Sequence, residues 1–520
     1  MKKEKIADQQ FNLPLSNPLS ILTGKESKDF TREDLLKVIV EKQIERLTFH
    51  HTALDGKIKE LKIPVSSVKQ AELVLSEGER VDGSSLFRGI IDPGSSDLYI
   101  IPDYKTAFIS PFDSTSLNFI CRYLTPAGEL AQFTPDNILA RASNLIKNTS
   151  GLNLYALGEL EFFLIGDFGN DDFPLPKQRG YHASSPFAKS GMILNEMLKY
   201  ITQLCGNVKY AHQEVGCLDT VFSDLQELDG KRAEQVEIEF LPTPIEDTGD
   251  ILVLSKWIIR NVAYKHGFVA TFAPKLEIGH AGSGMHVHLA LMKNNKNVMT
   301  TEKGELSENA RRLIGGLCRY APSLTAFGNM VSSSYLRLVP HQEAPTKVCW
   351  SEMNRSTLVR VPLGWTNAKN LSNIVNTQQK TKLTDIPVRQ TVEIRSPDGS
   401  AQTHLLLAGI SMAAEWGLRN KKESLEIAKN TYVRENIHSS DKYKELAELA
   451  TSCAESADIL VKERELYQRE GIFPPLVIDE VKKILQNETD RNLEKRLKAL
   501  PEEEKIKESR RIMHSKIHTH

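Results

Sequence analysis

The sequence predicts an α+β protein with a small strand-rich N-terminal region, a larger region of strands and helices, and a helical C-terminal region. Up to Leu124, short apolar runs such as DLYIIPD and LNFICRYL are separated by turns that contain Gly or Pro, which is typical of a small sheet. From Asp136, helical and strand patterns alternate, and the strands outnumber those of a simple doubly wound sheet. From Gln402 onward the periodicity is helical.

Changes in composition divide the chain into four parts. The first is a polar, Pro-containing arm that is predicted to be irregular. The second begins with a helical pattern that has Thr31 as its N-cap and Asp34 three residues later. The third carries the alternating strands and helices, and the fourth is charged, helical and His-rich at its end. The parts are residues 1–30, 31–125, 126–480 and 481–520.

Charge and cysteine usage exclude several classes of protein. Lys plus Arg number 66 and Asp plus Glu number 67, so the chain has no excess charge that would attract nucleic acid or an anionic membrane. No stretch approaches the roughly 20 apolar residues that span a bilayer, and no apolar run follows the N-terminal lysines. The six cysteines show no CxxC spacing, which is typical of reduced thiols in a cytoplasmic protein.

Charged residues recur two positions apart in otherwise apolar strands. Residues i and i+2 of a strand share a face, so Glu159 and Glu161 of GELEFFL project together. One such pair is more typical of a solvent-facing strand edge, but here the pattern recurs in three further strands. These are QVEIEF with Gln235, Glu237 and Glu239, GMHVHLAL with His286 and His288, and TVEIRSP with Glu393 and Arg395. Together they predict a polar cavity lined by strands.

The predicted cavity has the side chains of a metal-dependent phosphoryl-transfer site. Clustered carboxylates repel one another unless cations neutralise them, and oxygen ligands favour Mg²⁺ or Mn²⁺ over zinc. Arg337, Arg355 and Arg360 lie next to apolar strands and could hold phosphate or carboxylate groups. The residues alone therefore predict two-metal, ATP-dependent phosphoryl transfer.

Eight motifs occur in an order that resembles the glutamine synthetase family, in its bacterial type I form. The resemblance covers roughly residues 30 to 480. The order and spacing make it specific, although no single motif does. The motifs are VDGSS at 81–85, GELEFF, HQEV at 212–215, FAPK, GSGMHVH, RLVPHQEAP at 337–345, NRSTLVRVP at 354–362 and VEIRSPD.

The resemblance implies a fold, a reaction and an assembly. It implies a β-grasp-like N-terminal domain and a catalytic domain whose curved antiparallel sheet forms a funnel-like half barrel backed by helices. The implied reaction is ATP-dependent formation of L-glutamine from L-glutamate and ammonia, through γ-glutamyl phosphate, with two Mg²⁺ or Mn²⁺ ions per site. The implied assembly is a homo-oligomer, a dodecamer of two stacked hexameric rings, with active sites between adjacent subunits.

The resemblance also assigns roles position by position. The ligands of the tighter metal match Glu161, Glu214 and Glu237, and those of the second match Glu159, His286 and Glu393. The ATP and phosphate contacts match His288, Arg355 and Arg360, and the glutamate contacts match Gly282, Arg337 and Arg395. The catalytic residues match Asp82, Glu343 and Arg355, and the ammonium pocket matches Asp82, Ser85, Tyr181 and Glu214.

Within these roles, Asp82 would reach in from a neighbouring subunit to deprotonate ammonium, and Glu343 would close over the intermediate as part of a flap. Two positions depart from the family pattern: Ala281 stands where Asn usually precedes GSGMH, and Ala290 replaces a Ser near the nucleotide.

Three alternatives remain beside the ammonia ligase. One is a γ-glutamyl-amine ligase for a polyamine or monoamine, which acids close to the amine site would disfavour. Another is a non-catalytic structural protein on this fold, which would be expected to lose metal ligands. The last is a guanidino kinase, which would lack the DGSS and GSGMHVH segments together.

Overall fold

The computed structural model describes residues 13–169, 172–339, 345–365, 368–437 and 441–519. The predicted α+β fold is confirmed, with a six-stranded sheet near the N-terminus and a ten-stranded sheet in the larger region. No helix in these ranges is long and apolar enough to cross a membrane.

The N-terminal sheet is a compact mixed sheet packed against short helices. Its strands are β1 Arg46–Thr52, β2 Ile58–Pro64, β3 Glu79–Asp82, β4 Asp97–Pro102, β5 Phe108–Ser110 and β6 Asp113–Leu124. The helices are α1 Pro18–Thr23, α2 Arg32–Glu41, α3 Val68–Glu77 and α4 Gly83–Leu86. The strand order is β2-β1-β6-β4-β3, with β5 on β6, and only β1 and β6 run parallel. This is the β-grasp arrangement that the resemblance implied.

Two local predictions in this region have different outcomes. The capping box at the start of α2 is present, because Thr31 and Asp34 each bond the other's backbone. The arm predicted to be irregular contains α1, which the sequence analysis missed. Asn17 caps this helix by accepting a hydrogen bond from the Leu19 amide at 2.8 Å, and Pro18 occupies its first turn.

The larger region is built on one long buried strand, β7. Its strands are β7 Asn153–Gly166, β8 Val208–Leu218, β9 Arg232–Phe240, β10 Thr243–Pro244, β11 Val269–Thr271, β12 Val287–Lys293, β13 Lys296–Asn297, β14 Trp350–Glu352, β15 Val359–Val361 and β16 Val392–Ile394. The main order is β14-β15-β16-β12-β7-β9-β8, and only β14 and β15 run parallel. The sheet curls into the predicted half barrel, which places the acid-bearing strands β16, β12, β7 and β9 side by side.

Helices cover the back of this sheet and extend to the C-terminus. They are α5 Pro135–Ser150, α6 Gly191–Cys205, α7 Ile245–Lys265, α8 Glu308–Gly328, α9 Ser334–Arg337, α10 Ser372–Val375, α11 Thr403–Arg419, α12 Lys421–Asn430, α13 Cys453–Lys462, α14 Glu465–Gln468, α15 Pro475–Gln486, α16 Leu493–Lys498 and α17 Glu502–His514. The middle of α11 is buried all round, as expected for a helix between other helices. The apolar face of β7 packs against this layer, so its acidic face is left for the site.

Two predicted strands are shorter than their apolar runs. FVATFAPK forms β11 only over Val269–Thr271, and STLVRVPL forms β15 only over Val359–Val361. Each run contains a proline, which cannot donate a hydrogen bond to a neighbouring strand. Proline therefore limits how far each of these strands extends.

Candidate active site

The four strands with charged i, i+2 residues are neighbours in the sheet, as predicted. Across β7 and β9, Glu159 lies opposite Glu239 and Glu161 lies opposite Glu237. His288 on β12 lies opposite Glu393 on β16. The period of two thus puts acids and imidazoles from four strands on one face.

One cluster forms around Glu159 and Glu393. His288 Nε2 lies 2.9 Å from Glu159 Oε1 and 3.9 Å from Glu393 Oε2. His286 Nδ1 lies 2.8 Å from Glu159 Oε2 and 3.5 Å from Glu393 Oε1. Ligand atoms of Glu159, His288 and Glu393 all lie within 4.8 Å of one another. The residues predicted for the second metal are therefore brought together, with His288 as an additional possible donor.

A second cluster forms around Glu237. Donor atoms of His212, Glu214 and Glu237 lie within 4.8 Å of one another. Glu161, predicted as a ligand of the same metal, is opposite Glu237, and its Oε2 accepts a hydrogen bond from the Gly284 amide at 2.8 Å. The residues predicted for the tighter metal therefore lie together.

His212 and Glu239 belong to these clusters, although the resemblance assigned neither a role and the sequence analysis placed only Glu239 in the predicted cavity. His212 Nε2 is 3.5 Å from Glu237 Oε1 and its Nδ1 is 3.9 Å from Glu214 Oε1. Glu239 groups with Glu159 and Glu237 and forms an ion pair with Lys209 at 2.7 Å. The sequence signal that could have identified them is spacing: His212 is two positions from Glu214, and Glu239 is two positions from Glu237.

The electrostatics of the clusters show more buried negative charge than the protein itself neutralises. Burial raises the pKa of Glu237 to about 8, and the neighbouring carboxylates add to this effect. Burial disfavours the charged form of His212, but the Glu237 carboxylate outweighs burial and raises the His212 pKa to about 9. A divalent cation would supply the missing positive charge.

The pKa of the His288 imidazole near Glu159 is raised in the same way as that of His212. Burial lowers the pKa of His288, but attraction to Glu159 outweighs it and raises the pKa to about 9. Burial raises the pKa of Glu159, and the charges of His288 and His286 overcome burial and hold it well below its usual range. At neutral pH the Glu159 carboxylate is therefore ionised, and the His288 imidazole beside it is protonated.

Arginines border the cluster on the β15–β16 side. Arg360 Nη1 donates to Glu393 Oε2 at 2.8 Å, and Arg395 Nε donates to Glu393 Oε1 at 3.0 Å. Arg395 also donates to the carbonyl of Arg355, whose side chain is exposed. The three arginines are therefore linked at one edge of the site.

Arg337 lies beside the glycines of GSGMH, where glutamate contacts were predicted. It is 5% exposed and donates to the Ser396 carbonyl at 2.9 Å. A Cβ on Gly282 would lie 2.5 Å from the Pro274 carbonyl oxygen, and one on Gly284 would lie 2.8 Å from Arg337 Nη2. Glycine at both positions therefore allows the backbone to approach this guanidinium.

The predicted ammonium-pocket residues are divided between two places. The ring of Tyr181 lies 5.4 Å from that of His212, which groups with Glu214 and Glu237. Asp82 and Ser85 are exposed in the N-terminal region, and Asp82 accepts hydrogen bonds from Ser84 and Ser85 in its own turn. Within the described part of this single chain, they are not members of the carboxylate clusters. Glu343 lies outside the described residues.

Family models match most of the chain. The glutamine synthetase catalytic domain matches residues 132–500, and the glutamine synthetase β-grasp domain matches residues 43–126. Glutamine synthetase of Pyrococcus horikoshii is 32% identical over 75% of this chain and 76% of its own length. Glutamine synthetase of Escherichia coli K12 is 29% identical over 88% of this chain and 96% of its own length.

Solved structures share the fold. Plasmodium falciparum glutamine synthetase matches with a TM-score of 0.70 at 22% identity, over 89% of this chain and 97% of its own. A structure described as a GmaS/ADP complex also matches with a TM-score of 0.70, at 20% identity, over 90% of this chain and 98% of its own.

Fold and site together define an ATP-dependent ligase built on a half-barrel sheet. The chain belongs to the glutamine synthetase family. The family and the enzyme class predicted from the sequence, a glutamate–ammonia ligase, are thereby confirmed.

We expect His212 to contribute to divalent-ion binding. Replacing His212 with Asn should weaken Mn²⁺ binding at one site about tenfold, because the Glu237 cluster loses an imidazole nitrogen that can bind the ion after giving up its proton. Calorimetric titration of Mn²⁺ measures this. His182→Asn is the matched control, because the His182 ring lies 4.3 Å from that of His212 but is not a member of the cluster. Equal affinities for wild type and His212→Asn would contradict the expectation.

Proposed function

We propose that this protein forms glutamine from glutamate and ammonia through γ-glutamyl phosphate, with ATP converted to ADP and phosphate. The observation that carries the proposal is the alignment of Glu159, Glu161, Glu237 and Glu393 on one face of adjacent strands. The choice of glutamate, ammonia and ATP as substrates rests on membership of the glutamine synthetase family.

The donor set fits two hard divalent cations, Mg²⁺ or Mn²⁺. In the proposal, Glu161, Glu214 and Glu237 hold one ion, with His212 beside them, and Glu159, His286 and Glu393 hold the other. The fit is supported by the Glu237 carboxyl, whose pKa is raised to about 8 by burial and by the neighbouring carboxylates. When bound, such ions neutralise the carboxylates and withdraw charge from phosphate oxygens.

The arginines would stabilise the phosphoryl group during its transfer. A γ-carboxylate oxygen of glutamate attacks the terminal phosphorus of ATP, and the bond from that phosphorus to the bridging oxygen breaks to release ADP. Arg360 is fixed at the cluster edge by its 2.8 Å bond to Glu393, with donors left for phosphate oxygens. Arg355 and His288 complete the proposed phosphate contacts, and Arg337, Arg395 and Gly282 the glutamate contacts.

The second half of the reaction needs ammonia rather than ammonium. In the proposal, Tyr181, Glu214 and Ser85 hold ammonium, and Asp82 removes a proton. The nitrogen lone pair then attacks the carbonyl carbon of the acyl phosphate, and inorganic phosphate leaves. Glu343 is proposed to cover the intermediate, since water would otherwise hydrolyse it.

Completion of the site by a second subunit is part of the proposal. Support comes from the exposure of Asp82 and Ser85, which are free of the carboxylate clusters of their own chain. A homo-oligomer, and specifically a dodecamer of two hexameric rings, would present them to a neighbouring site.

The domain division and the location of the protein complete the proposal. A β-grasp domain at 31–125 is supported by the end of β6 at Leu124, followed by a catalytic domain at 126–480 and a helical segment at 481–520. A cytoplasmic location is supported by six unpaired cysteines, as expected in a reducing compartment.

We expect glutamine formation to depend on both clusters. Glu237→Gln and Glu393→Gln should each lower kcat by roughly 100-fold or more at saturating Mg²⁺, because each variant removes a charged ligand from one site. Product analysis with ammonia, methylamine and a polyamine measures activity and amine choice together. Glu352→Gln, an exposed acid on β14 of the same sheet, is the control.

Two results would overturn this assignment. If both cluster variants retain wild-type turnover, the clusters are not the site. If an alkylamine outcompetes ammonia at equal free concentration, the chain is an amine ligase instead. A pocket formed for a small cation leaves no room for an alkyl chain, so ammonia should be preferred by a wide margin in kcat/KM.

Complementation between inactive subunits tests the shared site. Asp82→Ala and Glu393→Ala subunits should each be inactive alone. In an equal, randomly reassembled mixture, about a quarter of the sites would combine an intact Asp82 with an intact Glu393 from different chains. Activity near a quarter of wild type is therefore expected. A mixture as inactive as its parents, with exchange verified by mass spectrometry, would place Asp82 and Glu393 of one chain in one site.

A further inference from the structure

The C-terminal segment, residues 502–519, packs onto the loop that carries Gly282. This segment follows the end of the family-model match at residue 500 and contains α17. The glycine loop, residues 272–284, lies between β11 and β12 and includes the FAPK motif and the first three residues of GSGMH. The contact therefore joins a segment outside the matched catalytic domain to a loop inside it.

Three contacts anchor the segment to the first half of the glycine loop. Arg510 Nε donates to Glu277 Oε2 at 2.6 Å, and Glu277 is 9% exposed. His514 Nε2 lies 3.0 Å from the Leu276 carbonyl oxygen. Thr271 Oγ1 donates to the Ile517 carbonyl at 2.7 Å, immediately before the loop.

His514 makes one hydrogen bond through each of its two ring nitrogens. The Leu276 carbonyl can only accept, so the Nε2 of His514 carries the proton and donates to it. Its Nδ1 then accepts a hydrogen bond from Ser223 Oγ at 2.9 Å. His514 thus joins the glycine loop to the segment that follows β8, and both of its ring nitrogens are satisfied.

Apolar packing supports the same anchor. Ile517 is 1% exposed and belongs to a small core with Leu276, Ala273, Val221 and Leu228. Burial of the Ile517 side chain removes apolar surface from water and so stabilises the contact. The C-terminal segment is therefore held firmly against the loop.

The anchored half of the loop fixes the half that carries the glycines. The Ser283 amide donates to the Pro274 carbonyl at 3.0 Å, and Lys275 Nζ donates to the His280 carbonyl. The Gly282 carbonyl accepts from Gln235 Nε2 at 3.0 Å, within the strand that bears Glu237. A shift at residues 274–277 would therefore move Gly282 relative to Arg337 and the carboxylates.

We propose that the C-terminal segment positions the glycine loop for substrate binding, with Arg510 and His514 as positioning residues. The inference rests on the proposed function, because Gly282 is proposed there to contact glutamate. Ala281, in the place of the usual Asn, removes a side chain that could hold the substrate. Correct placement of the loop backbone then matters more for the affinity for glutamate.

Steady-state kinetics of the full-length chain test this role. Arg510→Ala should raise the KM for glutamate about five- to tenfold, since Glu277 loses a charged hydrogen-bond partner. The KM for ATP and kcat should stay within about twofold, because Arg510 touches no reacting atom. Arg511→Ala is the matched control: it is one residue away, and its side chain is 66% exposed and pairs with Glu508.

A double-mutant cycle and hydrogen exchange separate positioning from a general loss of stability. Glu277→Gln combined with Arg510→Ala should be no worse than Arg510→Ala alone, because both remove the same contact. Amide exchange of peptides covering residues 272–284 should be faster in Arg510→Ala than in Arg511→Ala. Unchanged exchange in this loop, or a fall in kcat without a rise in the KM for glutamate, would overturn the inference.

The exchange measurement does not depend on turnover. A wild-type protein that makes no glutamine, with faster loop exchange in Arg510→Ala, would refute the proposed function while the positioning contact stands. A wild-type protein that makes glutamine, with loop exchange unchanged in the variant, would refute the positioning role alone.

Discussion

Repulsion among buried carboxylates is the constraint on which the site depends. Glu159 faces Glu239 and Glu161 faces Glu237 across two central strands, where apolar residues would stabilise a sheet better. Arg360 and Arg395 neutralise Glu393, and Lys209 neutralises Glu239, but Glu237 retains a pKa near 8. The rest of the half barrel, with its helical backing layer, keeps this unfavourable face in place.

Much of the site could be predicted from strand periodicity. Acids at i and i+2 in apolar runs fix which residues share a face, and the half barrel places those faces side by side. Glu159, Glu161, Glu237 and Glu393 therefore lie together where the sequence indicated. The fold class was predictable for the same reason, since alternation and turn residues are local signals.

Other features depend on contacts between distant parts of the chain and could not be predicted. Whether His212 meets Glu237 depends on the register of β8 and β9, which its i, i+2 spacing from Glu214 does not show. The short helix α1, by contrast, has a local signal, an Asn cap followed by Pro, that the sequence analysis missed. The contact of Arg510 with Glu277 joins residues 233 positions apart, and a charged C-terminal helix carries no local sign of its partner.

In the proposed reaction, ATP activates the side-chain carboxylate of glutamate before nitrogen is added. Isotope transfer tests it most directly: glutamate with both γ-carboxylate oxygens replaced by ¹⁸O is converted in the presence of ATP, Mg²⁺ and ammonia. Attack by a carboxylate oxygen on the terminal phosphorus predicts one ¹⁸O atom in each inorganic phosphate and one in each glutamine amide. Phosphate that carries no ¹⁸O, while glutamine accumulates, would show that the carboxylate does not attack ATP.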